Sequence, residues 1–204
     1  GVRNFGLLFV VGEERNSAGA YAAAKDSRGS RYLINGEPTE NKLAAATKGV
    51  LRYEIIAQGK LAHSAYPELG ESAIDKLLDA LERVRKMDLP ADPVLGATTV
   101  NIGVLSGGRA PNVIPDEAKA EISIRIVGDP EPVRAATLRA AGDCVEAREV
   151  LFTPAIHFDP MDGFETTIVA FTTDIPSFDG AWGKPFLLGP GNIHVAHTSE
   201  ERIA

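Results

Sequence analysis

The run Gly6-Leu-Leu-Phe-Val-Val11 is short, apolar and rich in branched side chains, and it predicts a buried strand. Glu13 and Glu14 follow at its carboxyl end. Ser17 to Lys25 is alanine-rich behind a Ser/Asn cap signal and predicts a helix. Arg31 to Asn35 predicts a short strand, closed by Gly36-Glu37-Pro38-Thr39. From about Thr47 the texture changes. Val50 to Gln58 predicts a strand, and a glycine-bounded loop then carries His63. Glu71 to Lys86 predicts an amphipathic helix with Ile74, Leu77, Leu78, Leu81 and Val84 on one face. Two strands follow. The first is Thr98 to Leu105. The second alternates, with Ala118, Ala120, Ile122, Ile124 and Ile126 against Lys119, Glu121, Ser123 and Arg125. Pro130 to Ala141 predicts a weaker helix and Val145 to Phe152 a closing strand. The order β-α-β-β-α-β is that of a split ferredoxin-like unit. It occupies 47–150 as an insertion, so 1–46 and 151–204 are expected to be two pieces of one other α/β domain.

Composition adds limits. A chain of 204 residues, 44% hydrophobic and 24% charged, is long enough for a buried core. Its 28 acids against 21 bases give a net charge of −7, which argues against nucleic acid and anionic membranes as partners. There is no apolar stretch of membrane-spanning length and no leader pattern. The single Cys144 has no internal disulfide partner, so a cytoplasmic setting is expected, with Cys144 filling a helix or strand. The chain opens almost directly in its first predicted strand and stops at Ile203-Ala204, which reads as a fragment of a longer protein.

The candidate chemistry starts with Glu13 and Glu14, since open α/β sheets place ligands beyond the carboxyl ends of their strands. Amide hydrolysis at a metal-bound water needs one carboxylate to hold the ion and another to take the water's proton. Side by side on a surface, two glutamates are also ordinary solvated charges. His197 lies in Gly189-Pro-Gly-Asn-Ile-His-Val-Ala-His-Thr198 and is a candidate imidazole ligand, with His194 as its rival. His63 lies in Ala62-His-Ser-Ala-Tyr-Pro67, far along the chain from the glutamates. His157-Phe-Asp159 has ligand-like spacing, but its proline-flanked position marks it as a decoy. Arg125, on the polar face of the best strand, is either a solvated charge or a bidentate receptor for a carboxylate.

In this order, Val-Gly-Glu13-Glu14, Asn-Gly-Glu37-Pro-Thr39, His63-Ser-Ala-Tyr-Pro, Gly107-Gly108, Pro-Asn112-Val-Ile-Pro115, Arg125 and Gly189-Pro-Gly…Ala-His197-Thr resemble the co-catalytic zinc amidohydrolases. These are the relatives of acetylornithine deacetylase, succinyl-diaminopimelate desuccinylase, aminoacylase and carboxypeptidase, and the resemblance runs the whole chain. It implies part of a zinc-exopeptidase-like α/β catalytic domain with a ferredoxin-like lid and dimerisation domain inserted. It also implies residue roles. Glu13 would be the general base. Glu14 and His197 would hold one metal ion and Glu37 the other, the ions being zinc or cobalt. His63 would stabilise the oxyanion, in relatives across a dimer interface. Asn112 and Arg125 would bind the substrate's carbonyl and carboxylate, with Thr173 and Asp174 near the same pocket.

Family members carry an H-x-D ligand motif and a bridging aspartate upstream of the glutamates, and this chain starts after that segment. The expectation is therefore a homodimeric amidohydrolase of N-acyl amino acids, acetylornithine or acetyl-lysine foremost, seen here as a piece with an incomplete two-metal site. Dipeptidase and desuccinylase are rivals within the class. A non-catalytic dimerisation or binding module is the rival outside it.

Overall fold

The computed structural model describes residues 4–203. They divide into two compact units, 48–156 and the pair of segments 4–47 with 157–203.

In the first of these, four antiparallel strands form one sheet in the order Val145–Thr153, Gly49–Gln58, Glu117–Ile126, Thr99–Gly107. The helices Ala73–Arg85 and Glu131–Ala141 lie in the connections, which gives the expected β-α-β-β-α-β order. Alternation decides which face is buried: Ala118, Ala120, Ile122, Ile124 and Ile126 are all within a few per cent of full burial. They share a core with Leu51, Tyr53 and Ile55 of the neighbouring strand and with Leu77, Leu81 and Val84 of the first helix. Burial of each large aliphatic side chain contributes about 1.5–3 kcal/mol.

The predicted helical face needs one correction. Leu78 is 48% exposed, because the stripe that is buried is Ala73, Leu77, Ala80, Leu81 and Val84, and at 100° per residue Leu78 lies roughly 115° from its centre. The helix starts where Ser72 caps it, its hydroxyl accepting the Asp75 N–H at 3.1 Å. Behind the sheet's outer row, Glu149 ties helix to strand. Arg134 donates to it through Nε and Nη2, both at 2.8 Å, and the Tyr53 hydroxyl donates at 2.9 Å. Cys144 is not a filler: it is exposed in the turn before the last strand of this sheet.

The other unit is built from smaller pieces. Tyr32–Asn35 pairs in parallel with Lys184–Leu187, and Leu43–Thr47 pairs in parallel with Thr166–Val169. The helix Ala18–Ala24 forms as expected, although its start is held by Asn16, whose Oδ1 accepts the Ala18 N–H at 3.1 Å, and not by Ser17. The expected strand over Gly6–Val11 does not form. No described segment supplies a ladder for it, and Leu7, Phe9 and Val11 are 72%, 87% and 75% exposed. Among the described residues no helix is long and apolar enough to cross a membrane.

Candidate active site

Gly12 adopts φ +85°, a conformation open to glycine, and its carbonyl accepts the N–H groups of Arg15, Asn16 and Ser17 at 2.8–3.1 Å. That tight turn carries Glu13 and Glu14. Glu37 follows the strand Tyr32–Asn35, and its N–H donates to Asn35 Oδ1 at 3.2 Å. A Cβ at Gly189 would run into the carbonyl oxygens of Gly36 and Glu37, so the backbone at 189 presses directly on the segment presenting Glu37. Asp174 directly precedes the short 3₁₀ turn Ile175–Phe178 and is 2% exposed. Its Oδ1 has no hydrogen-bond partner. The neighbouring Thr173 hydroxyl accepts the Ile175 N–H at 3.2 Å. His197, at φ 61°, donates its backbone N–H to Glu201 Oε2 at 2.9 Å and places Nε2 3.4 Å from Glu14 Oε1.

These side chains feel one another. Burial, then the charges of Glu37, Glu14 and Asp174, push Glu13 up to about 7, while His197 opposes the shift. Glu37 is also raised, by burial first and then by Asp174 and Glu14. Four acids and one imidazole thus converge from four separate loops, with the acids repelling one another. The donor types, carboxylate oxygens and a histidine nitrogen, are those that bind divalent cations, and a cation would relieve the repulsion. Asp174 Oδ1 is one buried oxygen left to be satisfied. The shell is partial, however: among the described residues no three His, Cys, Asp or Glu side chains are arranged to hold an ion.

Of the two histidines in this loop, both exposed, His197 is the one whose charge acts on Glu13 and whose ring approaches Glu14. Asp159 of the H-x-D decoy pairs with Lys184 Nζ at 2.7 Å. Glu201, which fixes the backbone of His197, escaped the sequence reading. Its only signal is a four-residue spacing that many surface glutamates share.

In the inserted unit, His63 pairs with Val113 in a two-residue bridge, and Ser64 N–H donates to the Asn112 carbonyl at 3.0 Å. His63 and Asn112 therefore share one loop cluster. His63 is exposed, its Nδ1 accepts the Ala65 N–H at 3.1 Å, and its ring meets Tyr66 edge-on at 6.1 Å. Arg125 is not with them. Gln58 pairs with Glu117 at the loop end of the sheet, and Val50 pairs with Arg125 at the other. Eight residues of strand separate Glu117 from Arg125, roughly 27 Å at 3.4 Å per residue. Arg125 is half-buried, and burial, then the nearby Arg52 charge, pulls its guanidinium below its ordinary value.

A ferredoxin-like sheet inserted into an α/β unit that gathers acids and a histidine is the arrangement of the dimerising metallohydrolases. Residues 45–141 match the peptidase dimerisation domain of the M20 family. Over 200 residues, 97% of this chain and 50% of the relative, the sequence is 39% identical to an M20-domain peptidase of Schizosaccharomyces pombe. Over 226 residues, 98% of this chain and 54% of the relative, it is 41% identical to a probable carboxypeptidase of Aspergillus niger. Among solved structures it is similar in fold to a tripeptidase of Staphylococcus aureus, with a TM-score of 0.68 and 22% identity over 95% of this chain and 57% of that one. The di-peptidase Dug1p of Saccharomyces cerevisiae gives a TM-score of 0.66 and 14% identity over 88% of this chain and 57% of that one. The chain is thus similar over nearly its whole length to peptidases of the M20 family, and residues 45–141 within and beside the inserted unit match the peptidase dimerisation domain. It spans about half the length of the curated relatives it matches.

Proposed function

We propose that this chain carries part of the active site of a metal-dependent amidohydrolase that cleaves the amide bond of an N-acyl amino acid. A peptide's carboxyl-terminal residue is itself an N-acyl amino acid, so one chemistry covers both the carboxypeptidase names of the relatives and the deacetylases that the motifs resemble. Acetylornithine and acetyl-lysine are the finer candidates from the motifs; dipeptides are the rivals. The supporting observation is the convergence of Glu13, Glu14, Glu37, Asp174 and His197.

Glu14 and His197 would hold one divalent ion and Glu37 the other, within a shell that these residues fill only in part. When bound, such ions would lower the pKa of a water and polarise a carbonyl. Glu13, poised near neutrality, accepts the attacking water's proton on its carboxylate and returns it to the departing amide nitrogen. His63 donates a hydrogen bond to the developing oxyanion, with Asn112 beside it on the substrate carbonyl. Arg125 anchors the substrate's carboxylate. Since His63 and Asn112 sit at one end of the sheet and Arg125 at the other, the two groups serve different active sites of a homodimer. Exposed and free, Cys144 suits a reducing, cytoplasmic setting.

The partial shell favours a second reading, in which this polypeptide alone is a dimerisation module without catalysis. Hydrolysis of a panel of N-acetyl amino acids and blocked dipeptides, with zinc or cobalt added, separates the two. Turnover by this chain that disappears in Glu13→Ala supports the enzyme. No turnover by the chain or by a protein of full relative length retires it.

A further inference from the structure

Arg125 has a neighbour that the site described above does not use. Arg52 stands opposite Ser123, and Val50 stands opposite Arg125, so Arg52 and Arg125 are diagonal neighbours on the same outer face of the sheet. They are close enough that the Arg52 charge acts on the Arg125 guanidinium. Elsewhere on that face the charges are matched: Glu54 is bracketed by Lys119 and Arg148. Among the described residues neither Arg52 nor Arg125 forms an ion pair with a carboxylate. Two adjacent guanidiniums, one half-buried, repel each other unless an anion lies across them. The groups beside Arg125 on that face, Val50 and Thr99 opposite it and Ser123 two residues along its own strand, carry no charge that could answer the pair.

We propose that Arg52 is a specificity-determining residue that reads a second negative charge, so that the preferred substrates are N-acyl derivatives of acidic amino acids. The inference rests on Arg125 as receptor for the α-carboxylate. Arg125 takes that group as a bidentate pair, and Arg52 takes the side-chain carboxylate of a glutamate or aspartate residue. The same pair disfavours a cationic side chain, which turns the choice among N-acyl amino acids away from ornithine and lysine.

The test compares N-acetyl-glutamate with N-acetyl-glutamine, which differ by one charge and hardly in shape. Binding to the full chain is read from the arginine Nε–H resonances and by calorimetry, without need of turnover. The wild-type chain should bind the diacid roughly three- to tenfold more tightly than the amide. Arg52→Gln should remove that ratio and leave N-acetyl-glutamine affinity within about twofold, Arg52→Lys should restore part of the ratio, and Arg125→Gln should weaken both ligands. Equal affinities in the wild type, a ratio that survives Arg52→Gln, or no binding of either ligand overturns the proposal. A chain that binds the diacid in this pattern yet hydrolyses nothing in the panel sinks the catalytic reading and leaves this one standing.

Discussion

Glu13 is set apart from its neighbours by where it sits, and the same neighbours limit what a substitution there can do. Burial and three surrounding acids keep its carboxyl able to hold a proton near neutrality, as a proton shuttle requires. Glu13→Ala removes the shuttle but none of the proposed ligands. The expected result is a loss of at least about a hundredfold in kcat with metal content unchanged by elemental analysis. Equal loss of metal and activity would instead make Glu13 a ligand. Asp174 offers the opposite experiment, because it is buried with an unpartnered oxygen among like charges. Asp174→Asn keeps the shape and removes one charge, so the metal-free chain should melt higher while activity falls. Gly189→Ala should cost about 1–3 kcal/mol, since the new methyl meets backbone at 36 and 37 that has no rotamer to change. A denaturant titration of the whole chain reads that loss.

At the scale of elements, the inserted unit was legible because its signals are local and agree with one another. The alternation over 118–126 names its own buried face, and the stripe 74, 77, 81, 84 names the face of the helix laid on it. Leu77→Ala should accordingly cost about 2–5 kcal/mol, measured by urea unfolding of this unit. The other unit was less legible for a physical reason. Its strands Leu43–Thr47 and Thr166–Val169 are short, alanine- or threonine-rich and joined only by long-range parallel pairing, so no hydrophobic period marks them. Gly6–Val11 shows the converse error: its composition satisfies a strand, but composition does not supply a hydrogen-bonding neighbour. The candidate site followed the same division. Glu13, Glu14, Glu37 and His197 were reachable through motifs, whereas the burial of Asp174 against them and the separation of Arg125 from Asn112 depend on packing and register. One pH effect also belongs to this scale. Glu149 is held below its ordinary 4.5 first by the bidentate Arg134 pair, with the Tyr53 hydroxyl adding to it. Its contribution is fully present above about 4.5 and is lost as the pH falls through the lower folded value. Glu149→Gln should therefore flatten the stability of the inserted unit below about pH 4.5 and lower it at pH 7, by roughly 1 kcal/mol.

For the whole molecule the decisive question is whether one copy of the chain can complete one active site. The inserted sheet ends in the strand Thr99–Gly107, which pairs on one side only and leaves Val104 and Leu105 49% and 56% exposed. Such an edge is a template for another strand, and in a twofold dimer it would meet its own copy. The dimerisation-domain match makes a homodimer the expected assembly. With His63 and Asn112 at the opposite end of the sheet from Arg125, a dimer would let the two groups serve different sites, as proposed above. This arrangement makes a quantitative demand on a mixture of two inactive variants. Glu13→Ala and His63→Ala should each be inactive as homodimers. In a mixed dimer, one site loses both groups, whereas the other keeps its own Glu13 and receives an intact His63 from its partner. Random exchange of equal amounts yields half mixed dimers with one live site in two, so activity should recover to about a quarter of the wild-type value. The mixture should be made by co-expression in a protein of full relative length, so that the metal shell is complete. If His63 served its own copy's site, every mixed dimer would hold two dead sites and the mixture would stay inactive. Val104→Pro, which breaks the free edge without touching either group, should abolish the recovery and shift the protein to monomer in sedimentation.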